Sequence, residues 1–301
     1  MNNRLLLLAT ACLAIVGCGT LETVTEMGTA VGVATGTITP DQAQSINKSA
    51  GAVGKVFEQI TPEQEYYIGR TVAATILAQD KPLDRRAATE YLNTVGQYLA
   101  LYSTRPETFA GYHFLIMDTD EINAFATPGG FILVSRGMLH CCHSEEAVAA
   151  VLAHEIGHVE SNHGLRAIDK SRLTSAATIL GTELGKNLGG QQLAELTKTF
   201  ENSISDITAT MVNSGYSRQF ESQADACAVA TLQRAGYNPT GLIAMLSEME
   251  RQLKPGGKDF AKTHPDPEVR IAEIRKLIGT APASAQSPAR DQRFALAMRG
   301  I

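Results

Sequence analysis

His154 and His158 stand four residues apart in the segment His154-Glu155-Ile156-Gly157-His158. On a helix that spacing turns both imidazoles out of one face, where two nitrogens can share one metal ion. Glu155 lies one step round, within reach of water polarised by that ion, and can serve as its general base. The pattern H-E-x-x-H therefore predicts a zinc site that hydrolyses peptide bonds. Its surroundings agree. Ser144-Glu145-Glu146 offers a cap and two acids for the first turn of a helix, and the segment running to His158 reads as amphipathic and follows an apolar strand.

Such a site needs a third protein ligand. A His six places beyond His158 would indicate a metzincin, but that position is Gly164; His163 is one place early, and Ser161 stands where a Gly is expected. In the gluzincin arrangement the third ligand is a Glu on a later helix, often followed by an Asp four residues on. Of the glutamates in this chain only Glu221 has an Asp at that distance, in Glu221-Ser222-Gln223-Ala224-Asp225. Glu221 is thus expected to bind the metal, and Asp225 to hold a ligand His by its other ring nitrogen. His113, His140, His143 and His163 are read as surface or core residues.

These side chains need a scaffold. Thr61-Pro62-Glu63 predicts a capped helix start, and the apolar positions Tyr91, Val95, Tyr98, Leu99 and Tyr102 predict a second helix. Residues 112–117 read as a strand, Pro128-Gly129-Gly130 as a turn, and Phe131-Ile132-Leu133-Val134 as a second strand. Helices are expected over 144–164, through much of 165–215, over 218–235 closed by Gly236, from Pro239 to before Pro255, and over 268–278. The expected fold is α+β: mostly helical, of zincin type, with a small sheet packed on the helix that carries His154 and His158. The Glu221/Asp225 helix should face that helix. Phe131, Ile132, Leu133 and Val134 are expected to form an edge strand to which an extended peptide adds through backbone bonds. Asn123 either fixes that edge or touches the peptide.

The 301 residues divide by composition into 1–17, 18–60, 61–279 and 280–301. Arg4 precedes an apolar run, Leu5 to Val16, too short for a bilayer-spanning helix and suited to a secretory signal. It ends in Ile15-Val16-Gly17-Cys18, which resembles a bacterial lipobox and implies acylation of Cys18. Gly19 follows where an Asp would retain the product at the inner membrane, so the outer membrane, facing the periplasm, is the expected address. Residues 18–60 read as a tether, 61–279 as the catalytic domain and 280–301 as a disordered tail. A net charge of −5 leaves no broad basic field for nucleic acid. Cys141, Cys142 and Cys227 form either one disulfide with Cys227 or three buried thiols.

Longer stretches carry a resemblance. Asn123-Ala124-Phe125-Ala126, Pro128 through Val134, Leu152 through His158, Glu221 through Asp225, and Thr263 through Arg270 together resemble the CaaX-prenyl-protease and HtpX-like gluzincins, in their periplasmic lipoprotein branch (BepA- and LoiP-like). The resemblance implies one zinc ion held by His154, His158 and Glu221, with Glu155 catalytic. It implies action on unfolded or misassembled envelope proteins. It also brings His264 near the metal, as a reversible fourth ligand that masks the site. Besides the metal, His264 and Arg270 are candidates to stabilise the oxyanion, with Tyr216 a further one. An intact Glu155 favours a peptidase over an assembly factor that keeps zinc only as structure.

Overall fold

The computed structural model describes residues 60–167, 204–205, 207–209, 211–212, 215–252, 264, 267–279 and 287–301. The lipobox, the tether and most of the helical expectation for 165–215 lie outside these residues. A compact unit begins at Thr61 and carries every described helix and strand.

Helix α1, Pro62–Gln79, begins in a full capping box. The Thr61 side chain accepts from Gln64 N–H while the Gln64 side chain accepts from Thr61 N–H, and Pro62 sits where no amide is needed. A cap of this kind contributes about 1 kcal/mol. Ile68, Val72 and Ile76 form its buried stripe. Gly69 on the same face is required by close approach, since a Cβ there would stand 1.7 Å from the Pro128 carbonyl oxygen. Helix α2, Arg86–Ala100, buries Tyr91, Leu92, Val95 and Leu99.

Three strands follow: β1, His113–Met117; β2, Ala124–Thr127; and β3, Phe131–Ser135. The spatial order is β1-β3-β2. β3 pairs in parallel with β1, His113 beside Phe131, and antiparallel with β2, Ala124 opposite Val134. The sequence reading is corrected here. The strand Phe131–Ser135 is central, both its edges are paired, and Ile132, Leu133 and Val134 are buried, so no peptide can add to it. A continuous apolar run marks a strand covered on both faces, which is what this one is. The edge beside the metal-ligand helix is β2. It is only four residues long and half of it is Ala, a weak strand former, and it was not foreseen.

After the short α3, Arg136–His140, comes α4, Glu145–Glu160, capped by the Ser144 side chain. α4 is not amphipathic in effect: every residue from Ala147 to Val159 is buried. A helix apolar all round belongs in a core. α4 packs against the sheet, α2, the helix α6, Arg218–Arg234, and the helix α7, Thr240–Gln252; a short α5, His163–Ala167, follows it in the chain. The crossing of α4 and α6 is close because of Gly157, where a Cβ would come within 2.9 Å of the Ala224 carbonyl oxygen. The glycine inside H-E-x-x-H thereby lets the helix of His154 and His158 meet the helix of Glu221. Helix α8, Pro267–Ile278, packs on α6 and α7.

Of the expected disordered tail, 280–301, residues 280–286 lie outside the described residues and the remainder is ordered. Pro288–Ala297 is a helix, α9, with Pro at its start. Phe294, Ala297, Met298 and Ile301 pack on the core, and Arg290 and Arg293 pair with Glu145, a fully buried carboxylate in the first turn of α4. The Ala-, Pro- and Ser-rich run before it hid a helix whose stability comes from docking rather than propensity. Cys141 and Cys142 are buried free thiols, so neither is bridged to the half-buried Cys227. No described helix is long and apolar enough to cross a membrane.

Candidate metal centre

α4 and α6 bring His154, His158 and Glu221 to one point, and His264, outside both helices, completes a set of four donor-bearing side chains. His154, His158, Glu221 and His264 are all buried, and one ligand atom from each lies within 4.8 Å of the others. His154 Nε2 and His158 Nε2 are 3.1 Å apart. Tetrahedral zinc with bonds of ~2.0 Å would separate two nitrogens by roughly 3.3 Å, so the pair is already spaced for one ion. Glu221 faces both rings, at 3.5 Å from His154 Nε2 and 3.3 Å from His158 Nε2. His264 Nδ1 reaches Glu221 Oε1 at 2.8 Å. Three imidazoles and a carboxylate form the nitrogen and oxygen donor set that zinc takes, and the site fits the ion.

Glu155 lies beside this group, 1% exposed, and neither of its carboxylate oxygens has a hydrogen-bond partner among the described residues. Orphaned buried carboxylates are costly, and burial pushes the Glu155 carboxyl above its usual range. Such a group is poised to take a proton.

Behind the ligands runs a row of holding contacts. Asp225, one turn beyond Glu221 on α6, sits 2.9 Å from His154 Nδ1. Arg270 of α8 binds both Asp225 oxygens, at 2.8 and 2.7 Å, and its third nitrogen stands 3.2 Å from Glu221 Oε2. With all three nitrogens so engaged, Arg270 braces the carboxylates; the sequence had offered it for the oxyanion. Burial opposes the Asp225 charge, but Arg270 and His154 outweigh it and hold the carboxyl down at about 2. For Glu221 burial is likewise overcome, by His264 and by hydrogen bonds from the three rings, so its pKa lies well below the carboxylate range.

The two helix histidines differ. Burial and Arg270 work against charge on His154, yet Asp225 and Glu221 prevail and raise it to about 9. His158, dominated by burial, is pushed well below 6.5.

Other expected residues fall into place variously. Asn123 bonds through its amide N–H to Ser135 Oγ at 3.0 Å, and its side-chain oxygen accepts from Ala124 N–H at 2.9 Å. It ties the start of β2 to the end of β3. Tyr216 lays its ring flat on His158, 4.1 Å between centroids, and its hydroxyl donates to the Ala126 carbonyl on the outer edge of β2 at 3.3 Å. Burial, with Glu155 and Glu221 nearby, raises the Tyr216 phenol far above its usual value, so it remains a donor. His113, His140 and His143 are exposed. His163 is not a bystander: it is fully buried, 2.9 Å from the outer nitrogen of His158, and burial lowers it to about 4. Its sequence signal was its place five residues past His158, just beyond the end of α4.

Comparison with known proteins gives a family match. The model for Peptidase family M48 matches residues 86–278. The chain is 27% identical over 242 residues to the beta-barrel assembly-enhancing protease of Escherichia coli K12, covering 78% of this chain and 47% of that one. It is 29% identical over 162 residues to the mitochondrial metalloendopeptidase OMA1 of Schizosaccharomyces pombe, 52% of this chain and 43% of that one. With the metalloprotease LoiP of Escherichia coli K12 it shares 26% identity over 155 residues, 52% of this chain and 58% of that one. The chain spans about half the length of the curated relatives it matches.

Proposed function

The chain belongs to Peptidase family M48, and from that premise we propose that it is a zinc-dependent endopeptidase acting on unfolded or misassembled proteins of the bacterial envelope. The observation that carries the reading is the Glu155 carboxylate, buried beside a four-donor cluster with no hydrogen-bond partner among the described residues. His154, His158 and Glu221 would hold the ion, with Asp225 orienting His154. Zinc bound there would polarise the scissile carbonyl and acidify water. Glu155 takes the proton from the attacking water and delivers it to the leaving amine. His264, contributing the fourth donor, masks the site at rest and withdraws when substrate arrives.

Substrate lies along β2. The antiparallel ladder turns the N–H and C=O groups of Ala124 and Ala126 away from β3, so an extended polypeptide can pair with them by strand addition. Backbone pairing selects for extended, unfolded chain rather than for sequence. To pair along this strand, which is buried in the structure, it must replace the Asn123 side-chain oxygen on the Ala124 N–H and the Tyr216 hydroxyl on the Ala126 carbonyl. The beta-barrel assembly-enhancing protease supports the substrate class by its name, and LoiP supports the metalloprotease activity. The lipobox at Cys18 supports an outer-membrane lipoprotein facing the periplasm, with residues 18–60 as its tether and 61–279 as the peptidase domain.

The test is zinc content and casein digestion by wild type and Glu155→Gln. The amide matches the carboxylate in size and cannot accept the proton, so zinc and fold persist while activity falls by at least ~10²-fold. Activity surviving within a few-fold would remove Glu155 as the base, and a wild type without zinc would remove the metal.

A further inference from the structure

His158 uses two ring nitrogens in two directions. Nε2 faces His154 and Glu221; Nδ1 faces His163 Nδ1 at 2.9 Å. Between two facing imidazole nitrogens only one proton can lie. Which ring carries it decides whether His158 Nε2 has a lone pair for a metal. If His163 Nδ1 held the proton, His158, neutral, would carry its own on Nε2 and could not bind through that atom.

The surrounding contacts resolve this. The far nitrogen of His163, Nε2, stands 3.1 Å from Gln223 Oε1. Arg166 Nη1 reaches the same Gln223 atom at 3.5 Å. A guanidinium can only donate, so the atom it meets is the amide oxygen, an acceptor. His163 Nε2 must then be the donor. A neutral imidazole with its proton on Nε2 has a bare Nδ1, which accepts from His158 Nδ1–H. His158 Nε2 is left with its lone pair turned inward.

Each member of the row is itself held. Arg166 lies over the Phe220 ring, 4.3 Å from its centroid, and also donates to the Ser161 carbonyl at 3.3 Å. His163 stacks on the other partner of that ring contact, Phe220, at 4.4 Å and nearly parallel. Gln223 stands on α6, two residues past Glu221, so the helix that supplies the third ligand also supplies the acceptor that orders the second.

We propose that His163 is a positioning residue for the metal, which, directed by Gln223 and Arg166, holds His158 in the Nδ1–H form with Nε2 free to ligate. The two helix ligands are then oriented by different chemistry. Asp225 receives the outer N–H of His154 as a carboxylate, whereas a neutral imidazole receives that of His158. The proposal rests on the zinc reading above.

The experiment measures zinc affinity at one pH by competition with a chelator, in wild type, His163→Phe, His163→Gln and Gln223→Met. Phe keeps the flat ring on Phe220 and loses the acceptor; Gln keeps an acceptor oxygen. Zinc binding by His163→Phe is expected to weaken ~10–100-fold, the usual cost of losing a partner behind a ligand, with His163→Gln recovering most of it and Gln223→Met weakened less. A role in packing alone would lower the unfolding midpoint of the Gln variant most and leave its zinc affinity unrescued. Should the Phe variant not fold, 15N-labelled histidine in the zinc-loaded wild type reads the tautomers directly: His163 protonated on Nε2 is expected, and His163 protonated on Nδ1 overturns the proposal. Tight zinc in wild type and His163→Phe alike also overturns it while sparing the metal reading. A wild type that binds no zinc refutes that reading first.

Discussion

Asp225 Oδ1 lies 2.9 Å from His154 Nδ1 and 2.7 Å from Arg270 Nη2, so a single buried carboxylate ties a candidate metal ligand on α4 to a cation on α8. The three groups are at most 3% exposed. Charges in such a place persist only as a matched set.

Removing one member should therefore cost more than removing a surface pair. Arg270→Met takes from the buried anions Asp225 and Glu221 the guanidinium that bridges them, and leaves them only the histidines. The expected loss is ~3–5 kcal/mol in the metal-free protein, read from the denaturant midpoint. A loss below ~1 kcal/mol would mean that the arginine is not a brace.

Zinc affinity should depend on pH through His154. Its pKa in the metal-free protein is raised to about 9 by Asp225 and Glu221, against burial and Arg270. Below that pH the incoming ion must displace a proton, so acid weakens binding. His158, pushed well below 6.5 by burial, is already neutral near pH 7 and adds no second proton. Chelator competition between pH 6.5 and 8.5 should show affinity rising about tenfold per unit. A flat profile would contradict the charge assigned to His154.

His264 occupies a position from which it can act as lock or as catalyst. If it fills the fourth coordination position at rest, His264→Ala raises the basal rate on a short peptide, because a catalytic zinc site needs one position open. If it stabilises the oxyanion, the same change lowers kcat by ~10²-fold or more. The expected sign is an increase, measured on zinc-loaded protein; a decrease assigns the other role, and no change assigns neither.

Anchoring is tested at Cys18. Cys18→Ser should abolish incorporation of a fatty-acid analogue and leave the precursor unprocessed. A wild-type protein found soluble and unlabelled in its native host would rule out the lipid anchor.

The chemistry was legible because it is local. His154 with His158, and Glu221 with Asp225, are pairs four residues apart, and helical geometry alone puts each pair on one face. The caps at Thr61 and Ser144 were equally readable, since a side chain and the amides it receives lie within one turn. That both pairs meet at one point follows from Gly157, whose missing side chain admits α6 against α4; the residue is visible in the sequence but its neighbour is not. β2 and the central place of β3 depend on which segments pair across the sheet, and no local preference encodes a partner. The tail helix exists through Glu145, more than a hundred residues earlier, and His163 acquires its role from Gln223 on another helix. The sequence by itself determined which residues are the candidate ligands, the helices that carry them and the chemistry their types suit, because those depend on spacing along one element. Only the tertiary structure decided which strand offers its edge, what orients each ligand and what covers the end of α4, because burial and hydrogen bonding between distant segments are settled by packing.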